Sequence, residues 1–442
     1  MAKKITLIFD VGKTNKKVFL FDNAFQVLHS EYVTIPEIVD EDGFPTEDLH
    51  ALVVWMKEVL HRFLNDPAYV IEAINFSAYG ASLVHLDEDG KVLTPIFNYL
   101  KPIDSETADL FYAKYGPQHQ FSISTGSAPQ GMLQSGMQLF WLKHTQPEIF
   151  QRVTYSLHLP QYFSYVLTKI PVSDYTSIGC HTALWDFSKN DYHSWVFETG
   201  IDKILAPIVP TNTVNNLIIK RQSIKVGVGI HDSSAALHSY FKIVKKPFVL
   251  VSTGTWSITM NPFLDQVLSN QDIQSGCIQY LQINGKPVRS SKLLLGKEYD
   301  YQIEYLMTSF QKTLGEIQTL KFNRDVFKQL SNNKNNGYRW KYLTVDEKLA
   351  QSNINLLNFE KAYHQLIMEL VDFQVINIQT AIGMNTSIKT IYVDGGFADN
   401  VIFMSMLSLS LNEFDVIPSS LAHGSALGAA MVLEVIPKNF EY

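Results

Sequence analysis

Cysteine is scarce in this sequence: Cys180 and Cys277 are the only two in 442 residues. That excludes a disulfide framework and fits folding in a reducing compartment. Long apolar runs are missing as well. Ile5–Phe9 stops at Asp10, too short for the apolar region of a secretory signal. No stretch approaches the ~20 residues that a membrane-spanning helix needs. Nor is there a basic excess, since 36 Lys and Arg face 43 Asp and Glu for a net charge of −7. A general nucleic-acid binder is disfavoured on that ground. Two nucleotide fingerprints also fail. Gly12-Lys13-Thr14 looks like the end of a Walker A loop, but Leu7 stands where its first glycine belongs. Gly227 and Gly229 begin a G-x-G whose third glycine position is Asp232, so neither a P-loop nor a dinucleotide fold is indicated. The expectation is a cytoplasmic protein without nucleic-acid or membrane partners.

What is present is a globular composition, 46% hydrophobic and 12% aromatic, in a chain too long for one core. Ile5–Phe9 reads as a buried strand that ends in the polar turn Asp10-Val-Gly-Lys-Thr-Asn15, and Lys17–Phe21 returns from it. Thr46–Asn65 has the apolar spacing of a helix, with Thr46 as its cap and Glu47 and Asp48 at its positive end. A strand over Val70–Phe76 leads into Ser77-Ala-Tyr-Gly80, and Leu83–Leu86 follows as another. Helical patterns recur at Asp104–Tyr115, Gly136–His144 and Glu360–Met384. Pro160–Thr168 reads as aromatic core packing, and Asn332–Asn336 as a solvated loop. Ile388–Val393 is a strand ending in Asp394-Gly-Gly396, followed by helices over Ala398–Leu411 and Gly424–Glu434. Strands alternating with helices predict an α/β fold.

The organising stretch is Val226–Ser257. A small apolar strand, Val226–Ile230, delivers His231 and Asp232 to the start of a helix, and Phe248–Val251 is a second buried strand. Ser252-Thr-Gly-Thr255 then turns that strand into Trp256–Thr259. A hydroxyl- and glycine-bearing turn between strands offers N–H groups to an anion. By themselves these fragments also fit an N-cap and an ordinary hairpin. The equivalent hairpin at Asp10–Asn15 shifts the balance, because two lobes that each lend a phosphate-binding hairpin to one cleft can hold a nucleotide without a P-loop.

This combination resembles the actin/hexokinase-like ATPases, and within them the FGGY carbohydrate kinases. Asp10-Val-Gly-Lys-Thr14 resembles the first phosphate motif of that family, and Ser252-Thr-Gly-Thr-Trp-Ser257 the second. Asp394-Gly-Gly396 resembles the adenosine-side motif, and Asp232 the catalytic aspartate opening a helix. His231-Asp232-Ser233 with Gly254-Thr-Trp-Ser257, and the segments Leu159–Thr168 and Asp174-Tyr-Thr176, look most like L-rhamnulose and L-fuculose kinases.

The resemblance implies two actin-like, ribonuclease-H-like lobes around a central cleft. Residues 1–241 would form the sugar-binding lobe and residues 242–442 the nucleotide-binding lobe, divided near Phe241–Pro247. It implies ATP and Mg²⁺ as cofactors, a ketose as substrate, and a monomer or homodimer. Asp232 would be the general base and Asp10 the Mg²⁺ ligand, while Gly12, Lys13, Thr14, Asn15, Lys17, Gly254 and Thr255 would face the phosphates. Gly395 and Gly396 would lie on the adenosine side, with Tyr79, Gly80, His231, Asp232 and Ser233 along the sugar. Of the two lysines, Lys17 matches the family's basic position and Lys13 is a second candidate.

Several positions depart from the rhamnulose-kinase pattern. Ser77-Ala-Tyr-Gly80 replaces Asp-Thr-Trp-Gly, Leu159-Pro-Gln161 replaces an MPD-like triplet, and Lys292–Tyr301 lacks the family's Asn and Gln. His423 stands where a Glu is usual. Most of these fall on the sugar side, so fold and chemistry transfer better than substrate. The alternatives are a kinase for another ketose such as xylulose, an actin-like ATPase that is not a kinase, or a degenerate member that only binds sugar.

Overall fold

The computed structural model describes residues 2–332, 337–343, 358–385, 387–419, 421 and 423–434. Positions 333–336 of the expected Asn332–Asn336 loop lie outside the described residues.

The chain opens with three antiparallel strands, β1 (Lys3–Val11), β2 (Lys16–Phe21) and β3 (Val27–Val33). Helix α1 (Leu49–Asn65) then crosses to β4 (Tyr69–Ala78), which lies parallel to β1. After a long insertion come β5 (Val214–Ile219), β6 (Gln222–Gly227) and the short β7 (Ile230–His231). Their seven-stranded sheet runs β5-β6-β4-β1-β2-β3, with β7 alongside β4.

Helix α2 (Asp232–Ile243) leads to a second sheet whose central part repeats this plan. Strands β8 (Phe248–Thr253) and β9 (Ser257–Asn261) form an antiparallel hairpin, with β10 (Cys277–Leu281) and β11 (Pro287–Leu293) beyond it. After helices α3 (Leu295–Phe310) and α4 (Phe359–Ile382), β12 (Thr390–Gly395) returns parallel to β8. Helix α5 (Val401–Ser410) then connects it to the parallel β13 (Asp415–Pro418). The order is β10-β11-β9-β8-β12-β13. In both sheets a hairpin is flanked by an antiparallel strand on one side and parallel strands on the other. The fold is a two-domain α/β architecture of actin-like lobes with open sheets.

Burial on both faces explains why the central strands read as unbroken apolar runs. Leu7 and Phe9 of β1 pack with Leu52, Met56 and Phe63 of α1. The alternate residue Ile8 faces the other way, onto Ala426, Leu427 and Ala430 of the last helix, α6 (Gly424–Met431). Thus α6, from the end of the chain, covers the first sheet. Conversely, Ala236, Leu237 and Tyr240 of α2 pack on Phe248, Leu250 and Met260 of the second sheet. The two helices cross where they meet, and a Cβ on Gly428 would lie 1.7 Å from the Ala235 carbonyl oxygen.

Residues 79–213 form an aromatic-rich unit above the first sheet. Phe111 is its hub, with Phe121, Phe140 and Trp195 about 5 Å away, centroid to centroid, in edge-on geometry. The Leu159–Thr168 segment is a helix whose Leu159 and Phe163 join the first core.

One expected cap is corrected. Thr46 sits in a two-stranded pairing and donates to the Ile96 carbonyl, and Asp48 caps α1 by accepting from Ala51 N at 2.9 Å. Glu47 is buried and pairs with Lys13 and Lys16 at 3.1 and 2.9 Å. It has left the helix dipole for the first hairpin.

The α2–α6 crossing yields a stability prediction. Gly428→Ala forces the two backbones apart and should destabilise the protein by about 1–3 kcal/mol, the usual range for overpacking. A thermal midpoint equal to that of the parent chain would mean the helices separate freely.

Candidate active site

Both hairpins and the turn into α2 open on one cleft of about 650 Å³ between the sheets. In the first hairpin, Asp10 pairs across to Lys17 and, on its other side, with Ser77 of β4. The Gly12 N–H closes the turn on the Asn15 carbonyl at 3.0 Å. In the second, the Gly254 N–H does the same to the Trp256 carbonyl at 2.9 Å. In each hairpin the glycine amide is engaged in holding its own turn.

The turn into α2 is fixed by buried polar bonds. Asp174, fully buried, accepts from Gln161 Nε2, the Thr176 N–H and hydroxyl, Ser177 N and the Thr211 hydroxyl at 2.6–3.0 Å. The Thr176 hydroxyl oxygen in turn accepts the His231 N–H at 3.1 Å. Asn75, also fully buried, accepts from Gly229 N at 3.1 Å and donates to the Ala429 carbonyl at 2.8 Å. Gly229 itself has φ 88°, and a Cβ there would lie 2.5 Å from the Pro160 carbonyl oxygen. Gly227 and Gly229 therefore serve close packing beneath the turn, which accounts for a G-x-G that binds no dinucleotide.

This scaffold makes Asp232 the first residue of α2, with His231 in the capping position. Asp232 Oδ1 accepts from the adjacent Ser233 N–H and hydroxyl at 2.6 and 3.2 Å. Asp232 therefore stands inside the helix, one place after the capping position, and its hydrogen bonds run to the adjacent residue. The carboxylate is about a third exposed to the cleft. Burial pushes its pKa up to about 6, against the pull of the Ser233 hydrogen bonds and of Lys17. His231 Nε2 stands 3.2 Å from Asp232 Oδ1 and 3.1 Å from Cys180 Sγ, and its Nδ1 is 3.2 Å from Ser234 Oγ. Burial lowers the His231 pKa to about 4, so at neutral pH it is an uncharged hydrogen-bonding neighbour.

Asp10 and Asp394 are likewise raised by burial, partly relieved by Lys17. Asp10 Oδ2 also accepts from the Ser425 hydroxyl at 2.9 Å. The two candidate lysines are placed differently. Lys13 is paired with Glu37 and Glu47 at 2.6 and 3.1 Å. Lys17 forms no ion pair among the described residues, lies 5.7 Å from the Tyr32 ring centre, and projects its field onto Asp10, Asp232 and Asp394.

The structure gathers Asp10, Gly12, Lys13, Thr14, Asn15 and Lys17 around the cleft. It adds Tyr79, Gly80, His231, Asp232 and Ser233 from the first lobe, and Gly254, Thr255 and Gly395 from the second. Gly396 is not in the lining; it is exposed and begins a short 3-10 turn, Gly396–Asp399. Sequence reading missed Tyr99, His181, Tyr280 and Lys292, which also face the cleft. The first two come from the insertion and the others from β10 and β11; Lys292 opens the Lys292–Tyr301 segment noted above as a departure, and the other three lie far from any recognised motif. Trp256 and His423 line it too, one quoted only within a motif and the other only as a departure.

No ligand set for a bare metal forms: among the described residues, no group of three or more His, Cys, Asp or Glu could hold one. An oxygen-only set of separated carboxylates suits Mg²⁺, which keeps waters and shares phosphate ligands. Asp10 fits that task.

Family models match both parts of the chain. The model described as the FGGY family of carbohydrate kinases, N-terminal domain, matches residues 5–236. That described as carbohydrate kinase FGGY, C-terminal domain, matches residues 245–326. The chain belongs to the FGGY family of carbohydrate kinases.

Solved structures agree on the fold. A carbohydrate kinase from Novosphingobium aromaticivorans superposes with TM-score 0.77 at 22% identity, over 98% of this chain and 92% of that one. A ligand-bound xylulose kinase from Lactobacillus acidophilus gives 0.79 at 16%, over 97% and 89%. Plasmodium falciparum glycerol kinase with ADP gives 0.74 at 17%, over 98% and 89%. Within the FGGY family, then, this chain is similar to kinases for different acceptors. Among its described residues no helix is long and apolar enough to cross a membrane.

The packing beside His231 generates the second prediction. A Cβ on Gly80 would lie 2.7 Å from Cys180 Sγ and 3.3 Å from the His231 ring. Gly80→Ala should therefore displace both and destabilise the protein by about 1–3 kcal/mol. Adding Cys180→Ala makes room and should recover part of that loss, a coupling that a double-mutant cycle on unfolding midpoints measures.

Proposed function

We propose that this protein transfers the γ-phosphoryl group of ATP to a sugar hydroxyl, with Asp232 as general base. The observation that carries the reading is a part-exposed carboxylate with a raised proton affinity, facing two phosphate-type hairpins across one cleft. Phosphoryl transfer through a loose transition state asks mainly for positioning and charge neutralisation. Asp232 takes the proton of the attacking hydroxyl, with His231 and Ser233 fixing the carboxylate's orientation through the contacts described above. The N-terminus of α2 adds a favourable dipole toward the incoming phosphoryl. Lys17, with no ion pair among the described residues, neutralises phosphate charge; Lys13, engaged by two glutamates, holds the hairpin. Since the glycine amides close their turns, the neighbouring amides of Lys13, Thr14, Asn15 and Thr255 form the phosphate cradle. Asp10 would hold Mg²⁺, directly or through water, and the bound cation would supply neutralisation of phosphate oxygens. Gly395 takes the adenosine side.

For the acceptor, the sequence His231-Asp232-Ser233 together with Gly254–Ser257 supports a ketose, of L-rhamnulose or L-fuculose type first and xylulose next. Tyr79 and Gly80 line its pocket. We place the boundary between lobes near residues 241–247, after α2, and the protein in the cytoplasm. The two lobes close on their ligands as hinge enzymes do; scattering that is unchanged by nucleotide and sugar together would argue for a rigid cleft.

ADP release should be slow with ATP and Mg²⁺ alone and rise on adding the right ketose. Sugar-independent turnover matching any stimulated rate would indicate an ATPase that is not a kinase.

Asp232→Asn keeps the shape and cannot accept the proton, so turnover should drop by about 10²–10⁴-fold with ATP affinity little changed. A base works only when ionised. In the parent enzyme kcat/KM should therefore fall about tenfold per pH unit below about 6 and level off above it. A folded Asp232→Asn variant retaining most of its activity would assign proton removal elsewhere.

A further inference from the structure

Of the three lysines that line the cleft, the two with no ion pair among the described residues, Lys17 and Lys292, divide it. Lys17 acts on the phosphate half, where its field reaches Asp10, Asp232, Asp394 and His423. Lys292 acts on the other half. It sits on β11 opposite Ile258 of β9, and its field reaches Cys180 and His181 of the insertion. Its ammonium lies 5.2 Å from the Trp256 ring centre. Among the described residues, no carboxylate pairs with it.

Cys180 and His181, which the field of Lys292 reaches, and the neighbouring Tyr280 and His231 are uncharged near neutral pH. Burial raises the Cys180 thiol and the Tyr280 phenol, and lowers His181 and His231. Asp232 also acts on Cys180 and Tyr280, and Asp174 on Cys180, but the Asp232 carboxylate is occupied by Ser233, His231 and the reacting hydroxyl, and that of Asp174 by its five buried hydrogen bonds. His181 is held at φ 40°, an unfavourable backbone for a histidine. Its Nδ1 is 3.0 Å from the Leu133 carbonyl, which makes Nδ1 the donor and leaves Nε2 to accept from a hydroxyl. Its ring and that of His231 both lie against Tyr280, at 5.9 and 5.7 Å. The acceptor half thus presents neutral, aromatic and hydroxyl-binding groups with one uncompensated ammonium among them.

An ammonium drawn out of water without a partner is unfavourable, and a carboxylate hydrogen-bonded to it offsets that cost. We propose that Lys292 pairs with a carboxylate carried by the acceptor, so that the substrate class is a keto-sugar acid rather than a neutral ketose. The inference rests on the kinase reading above and replaces the neutral acceptor suggested by the sequence motifs with an acidic one. His181 Nε2 accepts from one of the sugar's hydroxyls, and the opposite end of the chain offers its hydroxyl to Asp232.

The test is a coupled ADP-release assay with D-tagaturonate and D-fructuronate against L-rhamnulose, L-fuculose and D-xylulose, for the parent enzyme, Lys292→Met and Lys292→Arg. The keto acids should give the highest kcat/KM. Lys292→Met keeps the packing on Trp256 and loses the charge. It should raise KM for the acids on the order of 10–100-fold, the loss expected for one charged hydrogen bond, with kcat and the neutral sugars little changed. Lys292→Arg should recover most of the loss.

Preference for a neutral ketose, with Lys292→Met affecting acids and neutral sugars alike, overturns the proposal. If Asp232→Asn abolishes that neutral-sugar turnover, the kinase reading survives and only the carboxylate is lost. If turnover persists in Asp232→Asn, both fall. Calorimetric titration of the parent enzyme with D-tagaturonate and L-rhamnulose needs no variant, and tighter binding of L-rhamnulose would overturn the proposal equally.

Discussion

The constraint on which this structure depends is the crowding of carboxylates in one cleft. Asp10, Asp232 and Asp394 arrive from three strand ends, all raised above the ordinary carboxylate range by burial; Lys17 eases all three, chiefly Asp10, while hydrogen bonds from Ser233 and Gly395 do more for Asp232 and Asp394. Such an arrangement is unfavourable until cations and phosphates enter, since desolvated like charges disfavour ionisation. It persists because the backbone beneath is over-determined. Asp174 and Asn75 spend their buried hydrogen-bonding capacity on the turn that presents His231 and Asp232.

Packing links that turn to the rest of the molecule. Helix α2 leaves the first sheet and packs on the second, while α6 returns from the chain's end to cover the first. The close contact of Gly428 with Ala235 locks the two. A shift of either lobe would therefore be felt where Asp232 begins α2, and on the proposed reading this would couple lobe closure to the base. The same crossing makes Asn75 a bridge, since it binds both the Gly229 turn and the Ala429 carbonyl of α6.

The division of labour between lysines follows from partners rather than from position in a motif. Lys13 and Lys17 are equally basic on paper, and Glu47 decides between them. Left out of α1 when Asp48 takes the cap, Glu47 is buried against Lys13 and Lys16. Among the described residues, Lys17 and Lys292 stay without an ion pair at the cleft.

Sequence alone determined the alternation of strands and helices, the two hairpins and the aspartate between strand and helix. These are local signals: apolar runs, turn residues and the spacing around Asp10, Asp232 and Ser252–Thr255. Beyond Tyr79, Gly80 and His231–Ser233, the rest of the cleft lining was not legible in that way. Tyr99, His181, Tyr280 and Lys292 lie on separate segments with no shared spacing, and they meet only when the insertion folds over the first sheet and β10 and β11 extend the second. Thr46 looked like a cap by residue type, yet the two-residue pairing of Pro45–Thr46 with Ile38–Val39 claimed its backbone first. Gly396 was read into the site from its neighbours, and the turn it begins carries it out of the cleft. Tertiary structure decided which charges find partners, because pairing depends on which residues are brought within a few ångströms and shielded from water, a property that no local pattern encodes.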